Sequence, residues 1–305
     1  MKTSDEARPP AARERRLAAL LMAPALGAVL VVALFPLAWT VWESLHGHDL
    51  RMPWLGRPFV GLANYASLVG DRRFWEAFGH TALFVIITVT LELALGLALA
   101  LGLDSLRRGR GTARVVLLLP WAVPTVVAAL VWRFMFEGRT GLASSLLIDA
   151  GLIDEPVAWL VGERTAWIPL VLADVWKTTP FVALLLLAGL QGIPHDLHEA
   201  ARLDGAGRWR RFVAITLPLL APAILVAGLF RTLDALRVFD LVYVLTNGGP
   251  GTATESISLY TFDQLLQNLR FGLGSAAAVA TFTAAFAVAL VWIRLSGTRI
   301  LEMPR

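Results

Sequence analysis

Six long apolar stretches run through this sequence and limit the kind of fold that it can adopt. Each is long enough to cross a hydrocarbon layer about 30 Å thick as a helix. Backbone groups in lipid must form hydrogen bonds within their own segment, so these stretches should be helical. The predicted spans cover residues 17–42, 78–103, 115–136, 167–190, 217–245 and 276–295. The sequence therefore predicts an all-α integral membrane protein with about six transmembrane helices.

The composition favours a membrane location over a soluble core. Apolar residues make up 57% of the chain and charged residues only 16%, whereas soluble domains are about 45–50% apolar and about 25% charged. We expect a polar tail at residues 1–16, a membrane domain at 17–296 and a second tail at 297–305. The first apolar stretch is too long for the core of a signal peptide, so we interpret it as an uncleaved helix.

Arginine residues predict the orientation of the spans, because cytoplasmic loops are enriched in basic side chains. They cluster in both tails and in the second and fourth loops, which share one side if six spans alternate. These residues are Arg13, Arg15, Arg16, Arg107, Arg108, Arg110, Arg114, Arg202, Arg208, Arg210, Arg211, Arg299 and Arg305. The first loop departs from the pattern, since it carries Arg51, Arg57, Arg72 and Arg73. Both termini are therefore predicted to be cytoplasmic.

Several classes of function have no support in the sequence. The absence of cysteine excludes disulfides, thiolate metal sites and cysteine nucleophiles. No GxxxxGK[ST] phosphate loop and no HExxH zinc motif occurs, so we expect no nucleotide, metal or cofactor on this chain. The basic residues form no continuous stripe, which argues against nucleic-acid binding. An embedded enzyme would need serine, histidine and acidic residues gathered by their spacing, and no such spacing is present.

The loop between the fourth and fifth spans, residues 191–216, carries the most informative pattern. Pro194 suits the first turn of a helix, and good helix formers follow it. Gly205 can end that helix in a left-handed conformation, and a second short helix can begin near Arg208. The sequence thus predicts two short helices joined at residues 205–207 on the cytoplasmic face.

This loop also has the features of a docking surface. Its small residues would let the backbone of a partner approach closely, and its charged side chains could pair with charges on that partner. The residues concerned are Glu199, Ala200, Ala201, Arg202, Asp204, Gly205 and Ala206. The alternative is a connecting loop in solvent whose residues only cap its helices.

The pattern Glu199-Ala200-Ala201, then three residues, then Gly205, with leucine-proline following, resembles the EAA loop of binding-protein-dependent ABC import permeases. The resemblance implies a coupling helix that docks on separate ATP-binding cassette subunits, expected as a pair. ATP and Mg²⁺ would then bind to those partners. The implied ATPase-coupling residues are Glu199, Ala200, Ala201, Arg202, Asp204 and Gly205. It also implies a second related permease subunit, an extracytoplasmic binding protein and a bacterial or archaeal cell membrane.

Further motifs resemble the carbohydrate-uptake branch of that family. They are Gly61-Leu62-Ala63-Asn64-Tyr65 and the segments at residues 174–181, 229–234 and 239–251. Within the branch the chain is most similar to trehalose- and maltose-type permeases, which implies import of a sugar, a disaccharide above all. It lacks the large extracellular insertion and the extra N-terminal spans of some maltose permeases. Roles carried by those parts are therefore not transferred.

Ionisable residues inside the predicted spans are costly in lipid, so they should face protein or water. Glu92 lies near the middle of the second span. Asp174 and Lys177 are three residues apart in the fourth span and can pair on one helix face. The fifth span carries a row of alternating sign at a spacing of three: Arg231, Asp234, Arg237 and Asp240. Internal ion pairs that only fix helix packing would explain these residues without any ligand.

A sugar site needs carboxylates and guanidinium groups for hydroxyls and aromatic rings for the apolar ring faces. Such groups lie together near the outer half of the fifth span, before a glycine-rich turn at residues 247–251 that we interpret as a hinge or gate. The candidate substrate-pathway residues are Trp176, Lys177, Asp234, Arg237, Asp240, Tyr243 and Asn247.

A second class of function stays open, an ion-coupled secondary transporter. Membrane carboxylates such as Glu92 and Asp240 would then carry protons or sodium. That class predicts internal repeats and broken helices, neither of which the sequence indicates. It also leaves the docking loop unexplained.

Overall fold

The computed structural model describes residues 12–300, apart from 107, 139 and 140. Arg107 and Arg305, which were used to predict the orientation, lie outside the described residues, as do the outer parts of both predicted tails. Within the described part the regular elements are helices, and the β-structure is one isolated bridge between His46 and Phe59. The predicted all-α fold is confirmed.

Fourteen α-helices follow one another along the described chain. They are α1 Ala12–Val29, α2 Phe35–Ser44, α3 Ala63–Val69, α4 Arg72–Ser105, α5 Arg110–Ala122, α6 Thr125–Met135, α7 Leu142–Asp149, α8 Trp167–Gln191, α9 His195–Leu203, α10 Arg208–Arg211, α11 Leu217–Leu236, α12 Asp240–Leu245, α13 Ile257–Phe262 and α14 Phe271–Ile300. One turn of π-helix joins α1 to α2, and another joins α10 to α11.

Five helical segments are long and apolar enough to cross a membrane. They are Leu20–Ser44, Arg72–Ser105, Trp167–Gln191, Arg208–Leu236 and Phe271–Arg294. A sixth span results if α5 and α6 are taken together. The prediction of about six transmembrane helices is therefore confirmed.

The third predicted span is not one straight helix, because α5 and α6 meet at an angle of 84°. Val123, between them, has extended backbone with ψ 130°. Proline disfavours the helical conformation of the residue before it, and Pro124 follows Val123. The apolar composition of residues 115–136 does not indicate a break. Pro124, within that stretch, is a local signal for it.

The fifth predicted span also differs, since it was expected to run to Leu245 as one helix. The helix α11 ends at Leu236, and α12 starts only at Asp240. Phe239, in the break, has φ −133° and ψ −66°, outside the helical region. No proline or glycine lies between Leu236 and Asp240, so local sequence does not account for this break.

Close approach of the central helices α4, α8 and α11 depends on small residues. A Cβ atom at Gly96 of α4 would lie 2.7 Å from a methyl carbon of Val182 in α8. A Cβ atom at Gly189 of α8 would lie 2.5 Å from the Cβ of Ala223 in α11. Small residues at helix contacts are how membrane helices gain packing energy. These three helices therefore form the scaffold of the membrane domain.

Ion pairs account for most of the arginines in the first loop that depart from the predicted charge pattern. Arg51 pairs with Asp49 at 2.6 Å, and Arg72 pairs with Glu76 at 2.6 Å. Arg73 pairs with two carboxylates further along the chain. Much of the positive charge that departs from the arginine pattern is therefore balanced by carboxylates within ion-pair distance.

Candidate functional site

A buried cluster of charged side chains lies where α4, α8 and α11 meet. Arg231 of α11 is 2% exposed and donates hydrogen bonds to three carboxylates. They belong to Glu92 (2.8 Å from Nη2), Asp174 (2.8 Å) and Asp234 (2.6 Å). Thr178 adds a hydrogen bond of 2.5 Å to Glu92. A planar guanidinium with five donors suits such a central position.

This cluster corrects the predicted pairing of Asp174 with Lys177. Asp174 bonds instead to Arg231, 57 residues away along the chain. No ion pair of Lys177 occurs among the described residues. The guanidinium of Arg231 offers several donors to the carboxylates around it, whereas a neighbour on the same helix offers a single ammonium. The ammonium of Lys177 is left to face a cavity.

The predicted row of charges on the fifth span is present only in part. Arg231 bonds to Asp234, and Arg237 approaches the same carboxylate at 3.3 Å. Asp240 follows the break, in the first turn of α12, so it no longer continues the same helix. The side chains of Asp234 and Arg237 are 52% and 79% exposed on this chain.

A cavity of about 280 Å³ lies beside the charged cluster. Its walls come from the start of α6, the middle of α8, the end of α11 and the break before α12. The lining residues are Thr125, Asp174, Lys177, Thr178, Arg231, Asp234, Ala235, Arg237, Val238, Phe239, Asp240 and Leu241. Four of the predicted pathway residues, Lys177, Asp234, Arg237 and Asp240, are therefore brought together.

A second cavity, of about 410 Å³, shares part of this wall and adds aromatic rings. Trp121 and Phe181 stack at 5.6 Å with 12° between their planes, and Phe230 lies in the same lining. These aromatic residues are not among the pathway residues predicted from the sequence. Phe181 follows Lys177 by four positions, so the helical period could have placed both on one face.

Three predicted pathway residues lie outside the lining of both cavities. Trp176 contacts Trp132 at 6.0 Å between ring centroids. Tyr243 stacks on Phe239 at 5.4 Å. Asn247 has a left-handed backbone with φ 52° just after α12, a conformation that asparagine tolerates better than most residues. The left-handed backbone alone can therefore explain why asparagine occurs at position 247, without a contact to a sugar.

The cytoplasmic loop predicted between the fourth and fifth spans folds as two short helices, α9 and α10. The amide of Gly205 donates to the carbonyl of Arg202 at 3.0 Å, and Ala206 donates to Ala201 at 2.9 Å. This pair of bonds is a Schellman motif, which needs a left-handed residue at its turn. Gly205 supplies it with φ 77°.

The outer surface of α9 is open. Glu199, Arg202 and Asp204 are exposed, and none of them forms an ion pair within the described part of the chain. Leu203 is 89% exposed and Trp209 is 75% exposed. Large apolar side chains and unpaired charges left together on one surface are typical of a protein–protein contact.

A second ion cluster lies between the last two spans and the start of α4. Arg73 donates to both carboxylate oxygens of Glu255, at 2.6 and 2.8 Å, and to Asp263 at 2.6 Å. Burial raises the pKa of Glu255, and the bonds from Arg73 oppose that shift. Burial and a hydrogen bond to Asp71 raise the pKa of Tyr260.

Known proteins resemble this chain over almost its whole length. Residues 92–301 match the profile of the binding-protein-dependent transport system inner membrane component family. The chain is 46% identical over 288 residues to the trehalose/maltose transport system permease protein MalF of Thermococcus litoralis, covering 94% of this chain and 96% of that protein. It is 41% identical over 285 residues to the trehalose transport system permease protein SugA of Mycobacterium tuberculosis, covering 93% and 90%.

The likeness extends to other substrates and to solved structures. The sulfoquinovosyl glycerol transport system permease protein SmoG of Agrobacterium fabrum is 39% identical over 286 residues, covering 94% of this chain and 92% of that protein. A bacterial ABC transporter that imports the acidic polysaccharide alginate superposes with a TM-score of 0.80 at 23% identity. That match covers 94% of this chain and 96% of the other, and it establishes the fold.

These findings agree with the motifs at residues 199–205. They favour the permease interpretation over the secondary transporter, even though the third and fifth predicted spans are both broken. The family matches 210 residues, well over half of the chain, and the relatives span almost its whole length. This protein belongs to the family of inner-membrane components of binding-protein-dependent transport systems.

Proposed function

We propose that this chain is one permease subunit of an ABC importer that carries a sugar, a disaccharide such as trehalose or maltose, into the cytoplasm. The observation that carries the proposal is a polar cavity beside an aromatic one, within the membrane domain. The names of the two trehalose-related permeases at 46% and 41% identity support this substrate class.

The chemistry of the two cavities suits a sugar. Asp234, Arg237, Lys177 and Asp240 offer acceptors and donors to hydroxyl groups. The aromatic residues Trp121, Phe181 and Phe230 offer flat apolar surface to the faces of sugar rings. Trp176, Tyr243 and Asn247 stay in the proposal as residues that a sugar would meet on its way to or from the cavities.

A second related permease would complete the pathway. Asp234 and Arg237 are half exposed or more on this chain, and charges at membrane depth should face protein or water. A partner permease would cover this open side. An extracytoplasmic binding protein would deliver the sugar, by analogy with the bacterial alginate transporter, which has been solved in complex with a periplasmic protein bound to an alginate pentasaccharide.

Transport would be driven from the cytoplasmic side. We propose that two ATP-binding cassette subunits bind ATP and Mg²⁺ and that one docks on α9. Glu199, Arg202 and Asp204 would meet charges of that subunit, and the small residues Ala200, Ala201 and Gly205 would allow close contact. The open surface around Leu203 and Trp209 supports this assignment. Both termini would then be cytoplasmic.

Orientation can be tested by single cysteines, since the chain has none of its own. In intact cells a membrane-impermeant thiol reagent should label Asp149→Cys and spare Arg107→Cys. The reverse pattern would overturn the proposed orientation.

Function can be tested with the four-subunit complex in proteoliposomes together with its binding protein. Uptake of labelled trehalose or maltose should require ATP and the binding protein. Uptake that needs a proton or sodium gradient, and proceeds without ATP, would favour the ion-coupled transporter instead.

A further inference from the structure

The turn between α12 and α13, residues 246–256, is buried at its C-terminal end. The sequence predicted a hinge or gate at its glycines. The last residues of the segment, which follow those glycines, are among the most deeply buried polar groups, with Thr254 at 1%, Glu255 at 2% and Ser256 at 3% exposed. We call this segment the outer turn. Burial of polar groups is tolerated where each is hydrogen-bonded, so their partners show what the turn does.

Side chains and backbone groups of two long helices hold the outer turn. The indole of Trp167 in α8 donates to the carbonyl of Ala253 at 3.1 Å. The amide of Ile257 donates to the hydroxyl of Thr81 in α4 at 2.9 Å. Arg73, also in α4, forms the bidentate pair with Glu255. The outer turn is therefore tied to the scaffold at Ala253 and Glu255, and α13 is tied to it at Ile257, directly after the turn.

Ser256 connects the outer turn to the wall of the polar cavity. Its hydroxyl donates to the carbonyl of Val238 at 2.8 Å and accepts from the amide of Leu259 at 3.2 Å. Val238 lies in the break between α11 and α12, and Val238, Phe239 and Asp240 line the cavity. A carbonyl released from its helix needs another donor, and Ser256 provides that donor.

Arg73 and Ser256 act on adjacent positions of the chain. Glu255, which Arg73 holds, is the residue before Ser256. A displacement of Glu255 would therefore move the hydroxyl that holds Val238. Neither Arg73 nor Ser256 lines the cavities described above, so any effect on the sugar would pass through the break.

We propose that Ser256, anchored through the Arg73–Glu255 ion pair, is a positioning residue that holds residues 237–240 in the geometry the transported sugar requires. The inference rests on the proposed sugar pathway and adds residues outside it. Loss of the hydroxyl leaves the break free to shift, and a small misplacement of contact groups is costly to recognition.

The test uses assembled complexes in proteoliposomes, with uptake normalised to the amount of complex. Ser256→Ala should raise the KM for the sugar by about threefold to tenfold, the effect of one lost hydrogen bond. Arg73→Gln should also raise the KM, because it removes both bonds to Glu255 and frees the residue next to Ser256. Ser256→Thr keeps the hydroxyl and should restore the KM. Arg72→Gln is the matched control, because Arg72 is next to Arg73 but forms only an exposed pair with Glu76. This variant should leave the KM unchanged.

The outcomes separate this inference from the proposed function. A wild-type complex that transports no sugar would contradict the proposed function itself. A wild-type complex that transports sugar, with Ser256→Ala equal to Arg72→Gln in KM and in sugar preference, would overturn the positioning role. If Arg73→Gln fails to assemble, Ser256→Ala alone decides, since it removes a single oxygen atom.

Discussion

The charged cluster around Arg231 and the surface of α9 differ in whether their charged side chains have partners within the chain. In the cluster, Glu92, Asp174 and Asp234 all bond to one guanidinium within the chain. On α9, charged side chains are left without partners in the described part of the molecule. Buried charges must be satisfied internally, because desolvation is costly. Exposed charges are solvated by water and can stay unpaired until a partner protein binds.

The largest effect is expected from removing the centre of the cluster. Arg231→Gln would leave three carboxylates facing one another, and breaking a buried pair costs about 3–5 kcal/mol. We expect severe loss of folded protein, measured by the yield of monodisperse protein in detergent and by thermal unfolding. Arg237→Gln is the control, since its pair with Asp234 is exposed and such pairs contribute about 0–1 kcal/mol. Equal yields for both variants would contradict a structural role for the cluster.

The second test concerns the docking surface and uses two glycines with matching backbones. Gly205 ends α9 and Gly151 ends α7, each in a Schellman motif, with φ values of 77° and 67°. A Cβ atom at either position would meet nothing within 4 Å. Gly205→Leu and Gly151→Leu therefore carry the same backbone strain, about 1–2 kcal/mol.

The two variants should nevertheless differ in coupling. Gly205→Leu would hold the proposed partner away from α9, and uptake per ATP hydrolysed should fall roughly tenfold, as for a loss of about 1.4 kcal/mol of docking free energy. Gly151→Leu should couple normally. If both lose coupling equally, strain rather than docking is the cause.

A smaller effect is expected from reversing one charge on α9. Glu199→Lys should weaken coupling by about twofold to fivefold, in line with the modest free energy of a surface ion pair. The measurement is the ratio of sugar uptake to ATP hydrolysis at low and high salt. Glu155→Lys, an exposed acid of the third loop, provides the control. Identical ratios for both variants would mean that Glu199 has no charged partner.

The smallest effect is expected from an exposed pair outside the spans. A hydrogen bond from Arg51 lowers the pKa of Asp49 to about 2, below the unfolded value of about 3.9. This pair therefore stabilises the fold above about pH 3.9, and the contribution is lost as the pH falls through about 2. In thermal unfolding between about pH 4 and pH 2, Asp49→Asn should show a shallower loss of stability than wild type. Parallel curves would contradict the assignment.

These regions also differ in how far the sequence could predict them. The spans were located well, because lipid demands long apolar helices. The end of α9 was also predicted, because Gly205 is a local signal. The bond of Glu92 to Arg231 joins residues 139 positions apart, and spacing rules only reach a few positions. For the same reason, the break after Leu236 was not predicted. The hydroxyl that bonds to Val238 in the break belongs to Ser256, 18 positions further along the chain.

The bend between α5 and α6 has a consequence for the barrier that this subunit presents. With 13 and 11 residues, the two helices are about 20 Å and about 16 Å long. Each is shorter than a hydrocarbon core of about 30 Å, and at 84° their lengths do not add. The depth of protein that α5 and α6 present across the membrane is thus set by the angle between two short helices.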